Sequence, residues 1–195
     1  MKRLLDIVLS GLGLIILSPI LLVISILIKI DSKGPIFFRQ VRVGKNNLDF
    51  KIFKFRTMNV DSDKLGLLTI GDKDPRVTKI GYILRKYKLD EFPQLINVLV
   101  GNMSFVGPRP EVRKYVDMYS EADKEILIVK PGITDYASIK YRNEAEIMKN
   151  SKNPEQTYIN EIMPEKIKLN KDYINSYNIF TDIKIILLTF KAIIS

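Results

Sequence analysis

Residues 4–30 read LLDIVLSGLGLIILSPILLVISILIKI, and this apolar run sets the organisation of the chain. Its only charged residues are Asp6 and Lys29. At a rise of about 1.5 Å per residue, a straight helix of this length measures about 40 Å, which is enough to cross a bilayer. The run is too long for the core of a signal peptide, and no small-residue cleavage pattern follows it, so we expect a retained membrane segment.

A break is expected at the centre of this segment, at Ser18-Pro19. Pro19 lacks a backbone donor and clashes with the carbonyl of Ile15. Basic residues flank both ends of the segment, which draws both ends toward the cytoplasm. They are Lys2, Arg3, Lys29 and Lys33. We therefore predict that residues 1–31 form a re-entrant helix-break-helix insert that enters and leaves the same leaflet. The alternative is an ordinary membrane span with a proline kink.

The composition restricts the chemistry that the chain can perform. Lys and Arg total 31 against 22 Asp and Glu, and the formal net charge of +9 favours an anionic partner such as nucleic acid, lipid headgroups or a phosphorylated substrate. The 195 residues include no Cys and no His. Disulfides, thiol nucleophiles, histidine bases and zinc sites built from these residues are therefore excluded, and catalysis must rest on carboxylates, hydroxyls, amines or guanidinium groups.

The remainder of the chain predicts one small, helix-rich α/β domain over residues 32–195. PIFFRQVRVG (35–44) and DFKIFKFRTM (49–58) alternate well enough for two strands joined at GKNN. Helices are predicted around 76–88, 91–102, 111–128 and 155–173, with proline-glycine turns at FVGPRPE and KPGIT and a polar loop at 61–75. The apolar tail, 179–195, is predicted to lie in the membrane interface as an amphipathic helix.

Two adjacent carboxylates, Asp90 and Glu91, stand in KLDEFPQ (88–94) between two predicted helices. One explanation is structural, because Asp is a favoured N-cap, Glu in the first turn suits the helix dipole, and Pro93 is tolerated there. The other explanation is functional. A helix start keeps a carboxylate ionised and attracts phosphate oxygens. Successive helical residues diverge by about 100°, so one carboxylate can face a substrate while its neighbour holds a cation.

The wider motif resembles the bacterial sugar transferases, which are monotopic polyprenyl-phosphate phosphoglycosyl transferases. The resemblance rests on LDEFPQLINVLVGNMSFVGPRPE (89–111), with KIFKFRTM (51–58) upstream and KPGIT (130–134) downstream. It implies a minimal family member on the cytoplasmic face of the inner membrane, in contact with its lipids. The implied reaction moves a sugar 1-phosphate from a nucleotide sugar, with uridine as the expected base, to polyprenyl phosphate. This reaction begins glycan assembly, so downstream glycosyltransferases are further expected partners.

The resemblance also implies roles for individual residues. Asp90 is expected to be a nucleophile that forms an aspartyl phosphosugar, and Glu91 is expected to bind Mg²⁺, a hard cation that suits carboxylates. Four basic residues that match family positions are assigned to the substrate phosphates: Lys54, Arg85, Arg109 and Arg142. The chain departs from the family pattern at DYAS (135–138), where many members read Gly-Trp-x-Gln, and at Asn170, where Asp is frequent.

Two binding-module interpretations compete with catalysis. A non-catalytic, membrane-tethered basic module would explain the N-terminus and the charge, but not the clustered motifs. A nucleic-acid binder is disfavoured, because the sequence shows no aromatic-basic, zinc or helix-turn-helix pattern. Neither interpretation predicts release of a nucleoside monophosphate from a nucleotide sugar. The motifs do not identify the sugar or the glycan pathway.

Overall fold

In a computed structural model, residues 2–60, 62 and 74–194 are described. Most of the predicted polar loop at 61–75 lies outside them. The helices are α1 (Lys2–Asp31), α2 (Lys79–Lys86), α3 (Gln94–Val100), α4 (Arg113–Val116), α5 (Tyr136–Lys140), α6 (Glu144–Lys149), α7 (Pro154–Thr157), α8 (Met163–Asn175) and α9 (Ile179–Ile194). The strands are β1 (Phe37–Val43), β2 (Asp49–Phe55), β3 (Ser104–Val106) and β4 (Gly132–Thr134). Helix therefore dominates the described α/β chain.

The first helix, α1, continues through Pro19. Proline leaves the carbonyl of Ile15 without its usual donor, and the Ser18 hydroxyl donates to that carbonyl at 2.8 Å. This hydrogen bond compensates for the missing one, and the predicted interruption at Ser18-Pro19 is not seen. Among the described residues, α1 is the one helix that is long and apolar enough to cross a membrane, which fits a membrane anchor.

One stripe of α1 faces the rest of the protein. The buried residues on this helix, Asp6, Ser10, Ile24 and Ile28, recur at intervals close to whole helical turns. The remaining surface of α1 exposes large apolar side chains over its whole length. They include Leu4, Leu9, Leu12, Ile15, Ile16, Ile20, Leu22, Val23, Ile26 and Ile30. The helix therefore combines a docked face with a broad apolar surface.

Polar contacts hold the N-terminal end of α1. Lys2 Nζ donates to the Asp182 carboxylate at 2.8 Å and to the Tyr173 hydroxyl at 3.0 Å. The Asp6 carboxylate accepts from the Ser104 hydroxyl at 3.1 Å. These contacts join the beginning of α1 to β3, α8 and α9.

Apolar packing holds the C-terminal end of α1. In addition, the Asp31 carboxylate accepts from the backbone N–H of Ile80, in the first turn of α2, at 3.1 Å. Both ends of α1 therefore contact the same domain, and α2 leads from one of them toward Asp90. The buried cluster at this end consists of Ile24, Ile28, Phe55 and Leu84.

The hairpin of β1 and β2 confirms the predicted strand pair. The strands are antiparallel, with Phe37 opposite Phe55 and Val43 opposite Asp49. Because side chains alternate along a strand, Lys54 and Arg42 lie on one face of this hairpin. α3 is attached to the free edge of β2 by Asn97, whose side chain accepts from Phe53 N–H at 2.8 Å and donates to the Lys51 carbonyl at 2.9 Å.

A second sheet forms where only turns are predicted. β3 and β4 run parallel, with Ser104 opposite Gly132 and Val106 opposite Thr134. Their close approach depends on glycine, because a Cβ on Gly132 would stand 2.2 Å from the Gly107 nitrogen. Strands of three residues are too short for an alternation pattern to reveal. This sheet carries the segment that contains Arg109.

The C-terminal half is helical largely as predicted. The region 155–173 contains α7, a π-helical turn and α8, whereas the helix predicted over 111–128 is divided into α4 and a 3₁₀ segment (Asp123–Ile128). α9 confirms a helix in the tail, and it buries Asp182 and Ile185. Its exposed apolar residues include Phe180, Ile183, Leu187 and Phe190.

Candidate functional site

The carboxylates lie in a tight turn between α2 and α3. The Thr78 hydroxyl caps α2 by accepting from Gly81 N–H, and after this helix Lys88 takes a left-handed backbone conformation with φ of 56°. A single 3₁₀ turn, Leu89–Glu91, follows and leads to α3. A left-handed conformation is uncommon for lysine, so the surrounding packing must hold this turn in place.

Asp90 does not cap a helix. The 3₁₀ turn starts after Lys88 and α3 starts after Pro93, and neither start has a side-chain capping hydrogen bond. Asp90 lies inside the turn rather than before it, so its predicted N-cap role is wrong. Capping therefore does not explain an acidic residue here, and the functional explanation of the carboxylate remains.

Glu91 is buried against two cationic side chains. Its Oε1 accepts from Lys54 Nζ at 3.1 Å and from Arg109 Nη2. Burial by itself would raise the pKa of the Glu91 carboxyl, but the charges of Arg109 and Lys54 outweigh burial and hold that pKa well below its usual value. Glu91 is therefore ionised at neutral pH, with its charge compensated on both sides.

Asp90 has the opposite surroundings. It is 8% exposed, and its carboxylate accepts no hydrogen bond from the described residues. Burial raises the pKa of this carboxyl, the charge of Glu91 adds to the rise, and the charges of Lys54 and Arg85 oppose it. Because it is desolvated and accepts no hydrogen bond from the described residues, the Asp90 carboxylate is more basic than that of Glu91. It is also not held in an ion pair as Glu91 is.

Three of the four predicted basic residues surround the pair. Lys54 and Arg109 contact Glu91, and Arg85 acts on Asp90 through its charge while its Nε donates to the Thr57 hydroxyl at 2.9 Å. Arg142 donates to the Ala192 carbonyl in α9. Its assignment to the substrate phosphates stays a prediction.

Comparison with known protein families agrees with this cluster of residues. The family model described as bacterial sugar transferase matches residues 1–195. The chain belongs to this family.

Several relatives of this chain carry functional names. The UDP-glucose:undecaprenyl-phosphate glucose-1-phosphate transferases of Escherichia coli and Klebsiella pneumoniae are 38% and 42% identical to it, and each alignment covers 100% of this chain and 40% of the relative. The UDP-N-acetylgalactosamine-undecaprenyl-phosphate N-acetylgalactosaminephosphotransferase of Aeromonas hydrophila is 37% identical over 100% of this chain and 44% of its own length. The chain therefore spans less than half the length of these relatives. Because two sugars occur at nearly equal identity, similarity does not select the sugar.

Arg42 is a residue of the site that the motifs did not reveal. Its Nη1 donates to the Pro110 carbonyl at 3.2 Å and to the Glu111 carboxylate at 3.3 Å. These contacts attach β1 to the segment that carries Arg109. Strand alternation could have identified Arg42, because a period of two places it on the same hairpin face as Lys54.

The residues that depart from the family pattern are buried or half-buried. Asp135 is fully buried, and its carboxylate accepts from the backbone N–H groups of Arg109 and Ser138. The Ser138 hydroxyl and Asn170 Oδ1 are buried without a hydrogen-bond partner among the described residues. Asp135 joins segments 26 residues apart, a contact that no local pattern announces.

The site offers few ligands for a metal ion. Over residues 2–60, 62 and 74–194, no group of three or more acidic or other metal-ligating side chains occurs. Asp90 and Glu91 are the two carboxylates at the site, and Glu91 Oε2 accepts no hydrogen bond in this part of the chain. This donor set fits Mg²⁺ when substrate phosphates and water supply the remaining ligands, which is usual for that ion.

Proposed function

We propose that this sugar transferase moves a sugar 1-phosphate from a nucleoside diphosphate sugar to a polyprenyl phosphate and releases the nucleoside monophosphate. The observation that carries the proposal is the contrast between Asp90 and Glu91. Asp90 accepts no hydrogen bond from the described residues, whereas Glu91 is neutralised by Lys54 and Arg109. Covalent transfer needs one group that is free to attack and others that compensate charge. The names of the relatives support uridine and undecaprenyl as the donor and acceptor classes.

The transfer takes place in two displacements. A carboxylate oxygen of Asp90 attacks the phosphorus that bears the sugar, the pyrophosphate P–O bond breaks, and the nucleoside monophosphate leaves with the electron pair. An oxygen of polyprenyl phosphate then attacks the same phosphorus, the acyl P–O bond breaks, and the Asp90 carboxylate is regenerated. Both attacking groups react as anions, so neither step requires a general base at the pH where they are ionised. This fits a chain that contains no histidine.

Cationic groups compensate the charge of the phosphates. Guanidinium groups pair with phosphate through two parallel hydrogen bonds, which suits a diphosphate. Mg²⁺, held by Glu91 together with the substrate phosphates, would neutralise charge on the group in transfer. The side chains proposed to bind the phosphates are Lys54, Arg85, Arg109 and Arg142.

A turnover assay tests this function. Purified protein in detergent or nanodiscs is incubated with Mg²⁺, undecaprenyl phosphate and, one at a time, UDP-linked glucose, galactose, N-acetylglucosamine, N-acetylgalactosamine and a modified amino sugar. We expect UMP release that depends on both the acceptor and one or more of the sugars, together with a lipid product heavier by the sugar phosphate. Binding of nucleotide sugar without UMP release would instead support the membrane-tethered binding module.

The lipid-linked sugar phosphate that this reaction forms can start a capsule, exopolysaccharide, O-antigen or glycoprotein glycan.

We further propose that α1 is re-entrant in the inner membrane as a continuous helix bent at Pro19, so that both its ends lie on the cytoplasmic side. The domain would then lie on the cytoplasmic face of that membrane, and α9 would lie in the interface. Both ends of α1 contact one domain, through Lys2 and through Asp31, which supports placing both ends on one side. The exposed apolar side chains of α9, such as Phe180 and Leu187, support contact with lipid.

Cysteine labelling tests this topology, because the native chain has no cysteine. A cysteine-containing tag placed before Met1 and the substitution Lys33→Cys put single thiols in polar surroundings at the two ends of α1. We expect a membrane-impermeant maleimide to label neither variant in intact cells and to label both after lysis. Labelling of only one end from outside would show that α1 spans the membrane.

A further inference from the structure

The segment that carries Arg109 has a single backbone donor. Pro108 and Pro110 flank Arg109, and proline has no backbone N–H. The N–H of Arg109 is therefore the one group by which this tripeptide can donate a backbone hydrogen bond. It donates to Asp135 Oδ2 at 3.0 Å.

This bond continues the seam between β3 and β4. Three backbone hydrogen bonds of 2.9–3.1 Å also join the segment 104–108 to the segment 131–134. They join Ser104 N–H to the Pro131 carbonyl, Gly107 N–H to the Thr134 carbonyl and Gly132 N–H to the Pro108 carbonyl. The bond from Arg109 is a further link between the two segments, and here the side chain of Asp135 supplies the acceptor. The carboxylate thereby extends the fixed part of the segment to the residue whose guanidinium group reaches Glu91.

Arg109 is attached to the same segment at both ends. Its backbone N–H binds Asp135, and its Nη1 donates to the Ile133 carbonyl at 3.2 Å. Its Nη2 is then directed at Glu91. A side chain attached at its base and near its tip has little freedom to swing, so the guanidinium group is held in place before substrate arrives.

Capping of α5 alone does not require a carboxylate at position 135. Asp135 Oδ1 accepts from Ser138 N–H at 2.6 Å as the N-cap of this helix, which serine would also do. A buried carboxylate loses hydration, and Asp135 forms no salt bridge to compensate within the described residues. What the carboxylate provides beyond a cap is the second oxygen, which accepts from Arg109.

We infer that Asp135 is a positioning residue that fixes Arg109 where it binds the phosphates of the nucleotide sugar. The inference rests on the proposed function, because it assigns the phosphates to Arg109. It concerns the donor half of the reaction. Loss of the contact should affect the nucleotide sugar more strongly than the polyprenyl phosphate.

Two variants separate the anchor from the helix cap. Asp135→Ser retains a hydroxyl that can cap α5 but is too short to reach Arg109 as well, whereas Asp135→Ala removes both acceptors. Asn153→Ala is the matched control, because Asn153 caps α7 through Gln156 N–H. The measurements are hydrogen–deuterium exchange over residues 107–111, thermal stability, and kcat and KM for each substrate.

For Asp135→Ser we expect faster exchange over residues 107–111 and near-native thermal stability. We also expect kcat/KM for the nucleotide sugar to fall by roughly 10-fold to 100-fold, the scale of small displacements at a reacting centre. KM for polyprenyl phosphate should stay within about twofold of the wild-type value, since the contact is not assigned to that substrate. Asn153→Ala should lower thermal stability without changing exchange at 107–111 or kcat/KM.

Unchanged exchange in Asp135→Ser would overturn the inference, as would faster exchange with an unchanged kcat/KM. The same holds if Asp135→Ala and Asn153→Ala lose activity only in proportion to their stability. Failure of the wild-type protein to release nucleoside monophosphate is a different result. It would refute the proposed function, whereas the exchange data would still decide whether Asp135 holds Arg109.

Discussion

Asp90 and Glu91 are adjacent in the chain, but the two halves of the site around them differ. The half around Glu91 contains Lys54 and Arg109, both hydrogen-bonded to one carboxylate oxygen. The half around Asp90 provides no hydrogen bond to that carboxylate from residues 2–60, 62 and 74–194, and the charge of Arg85 lowers its pKa there. Burial affects both groups, yet the pKa of Glu91 is lowered and that of Asp90 is raised. The cations, rather than burial, distinguish the two.

Local backbone geometry produces this difference. Successive residues in a 3₁₀ turn diverge by about 120°, so neighbouring side chains must meet different parts of the protein. Glu91 points to β2 and to the segment after β3, and its charge is compensated there. Two like charges side by side are tolerable because one of them is already neutralised. This difference supports Asp90 as the nucleophile and Glu91 as the group that binds cations. Four experiments can test these two roles.

The largest effect is expected from Asp90→Asn. The amide keeps the size of the side chain but is not a nucleophile, so kcat should fall by about 10⁴-fold or more. Intact-protein mass spectrometry with nucleotide sugar and Mg²⁺, without lipid acceptor, should show one added phosphosugar in wild type and none in the variant. Asp117→Asn, which alters an exposed carboxylate, is the control. Substantial activity in Asp90→Asn, or an adduct on another residue, would support direct attack by the lipid phosphate.

Glu91→Gln should have a smaller effect on the rate. A neutral amide is a poorer ligand for a hard cation and leaves Lys54 and Arg109 without their anion, so we expect a loss on the order of 10²-fold and a higher Mg²⁺ requirement. The covalent adduct should still form, but slowly. Turnover at graded Mg²⁺ concentrations measures this, with the exposed Glu155→Gln as control. An unchanged Mg²⁺ requirement would contradict the proposal that Glu91 binds Mg²⁺.

The two substitutions should change stability in opposite directions. Asp90 has a raised folded-state pKa, so its charged form lowers stability as the pH rises through that value, and Asp90→Asn should be at least as stable as wild type at neutral pH. Glu91 has a depressed folded-state pKa, so its contribution is present above its unfolded value and is lost on acidification. Glu91→Gln should therefore be less stable at neutral pH, by roughly 1–2 kcal/mol, because the Arg109 side chain is 37% exposed and solvent screens its charge. Thermal melts between pH 5 and 8 test the signs, and equal shifts would contradict the assigned environments.

Sequence patterns anticipated the elements that repeat over several residues. Alternation predicted the hairpin of β1 and β2, and the apolar run predicted α1. The strands β3 and β4 escaped, because each has three residues and their pairing depends on close approach at Gly107 and Gly132. The sequence did not predict that α1 is continuous, because its continuity depends on the Ser18 hydroxyl, which replaces the donor lost at Pro19.

Family resemblance, rather than periodicity, brought together the residues of the site. It selected Lys54, Glu91 and Arg109, which the structure joins by hydrogen bonds. It did not select Arg42 or Asp135, which act on the segment that carries Arg109. Such contacts link residues far apart in the chain, so their partners become apparent only when the fold is known.

The smallest of the four effects concerns Lys54, which acts on both halves of the site. Its charge lowers the pKa of Asp90 as well as that of Glu91. Removal of that charge in Lys54→Met should let the pKa of Asp90 rise further, so a higher pH is needed to ionise the nucleophile. We expect the acidic limb of the kcat/KM profile to move to higher pH, with a loss of about 10-fold at the optimum. Lys51→Met is the matched control, because Lys51 is an exposed lysine on the same strand, on the opposite face of the hairpin. A limb that stays in place in Lys54→Met while the rate falls would show that Lys54 acts on the substrate and does not set the pKa of Asp90.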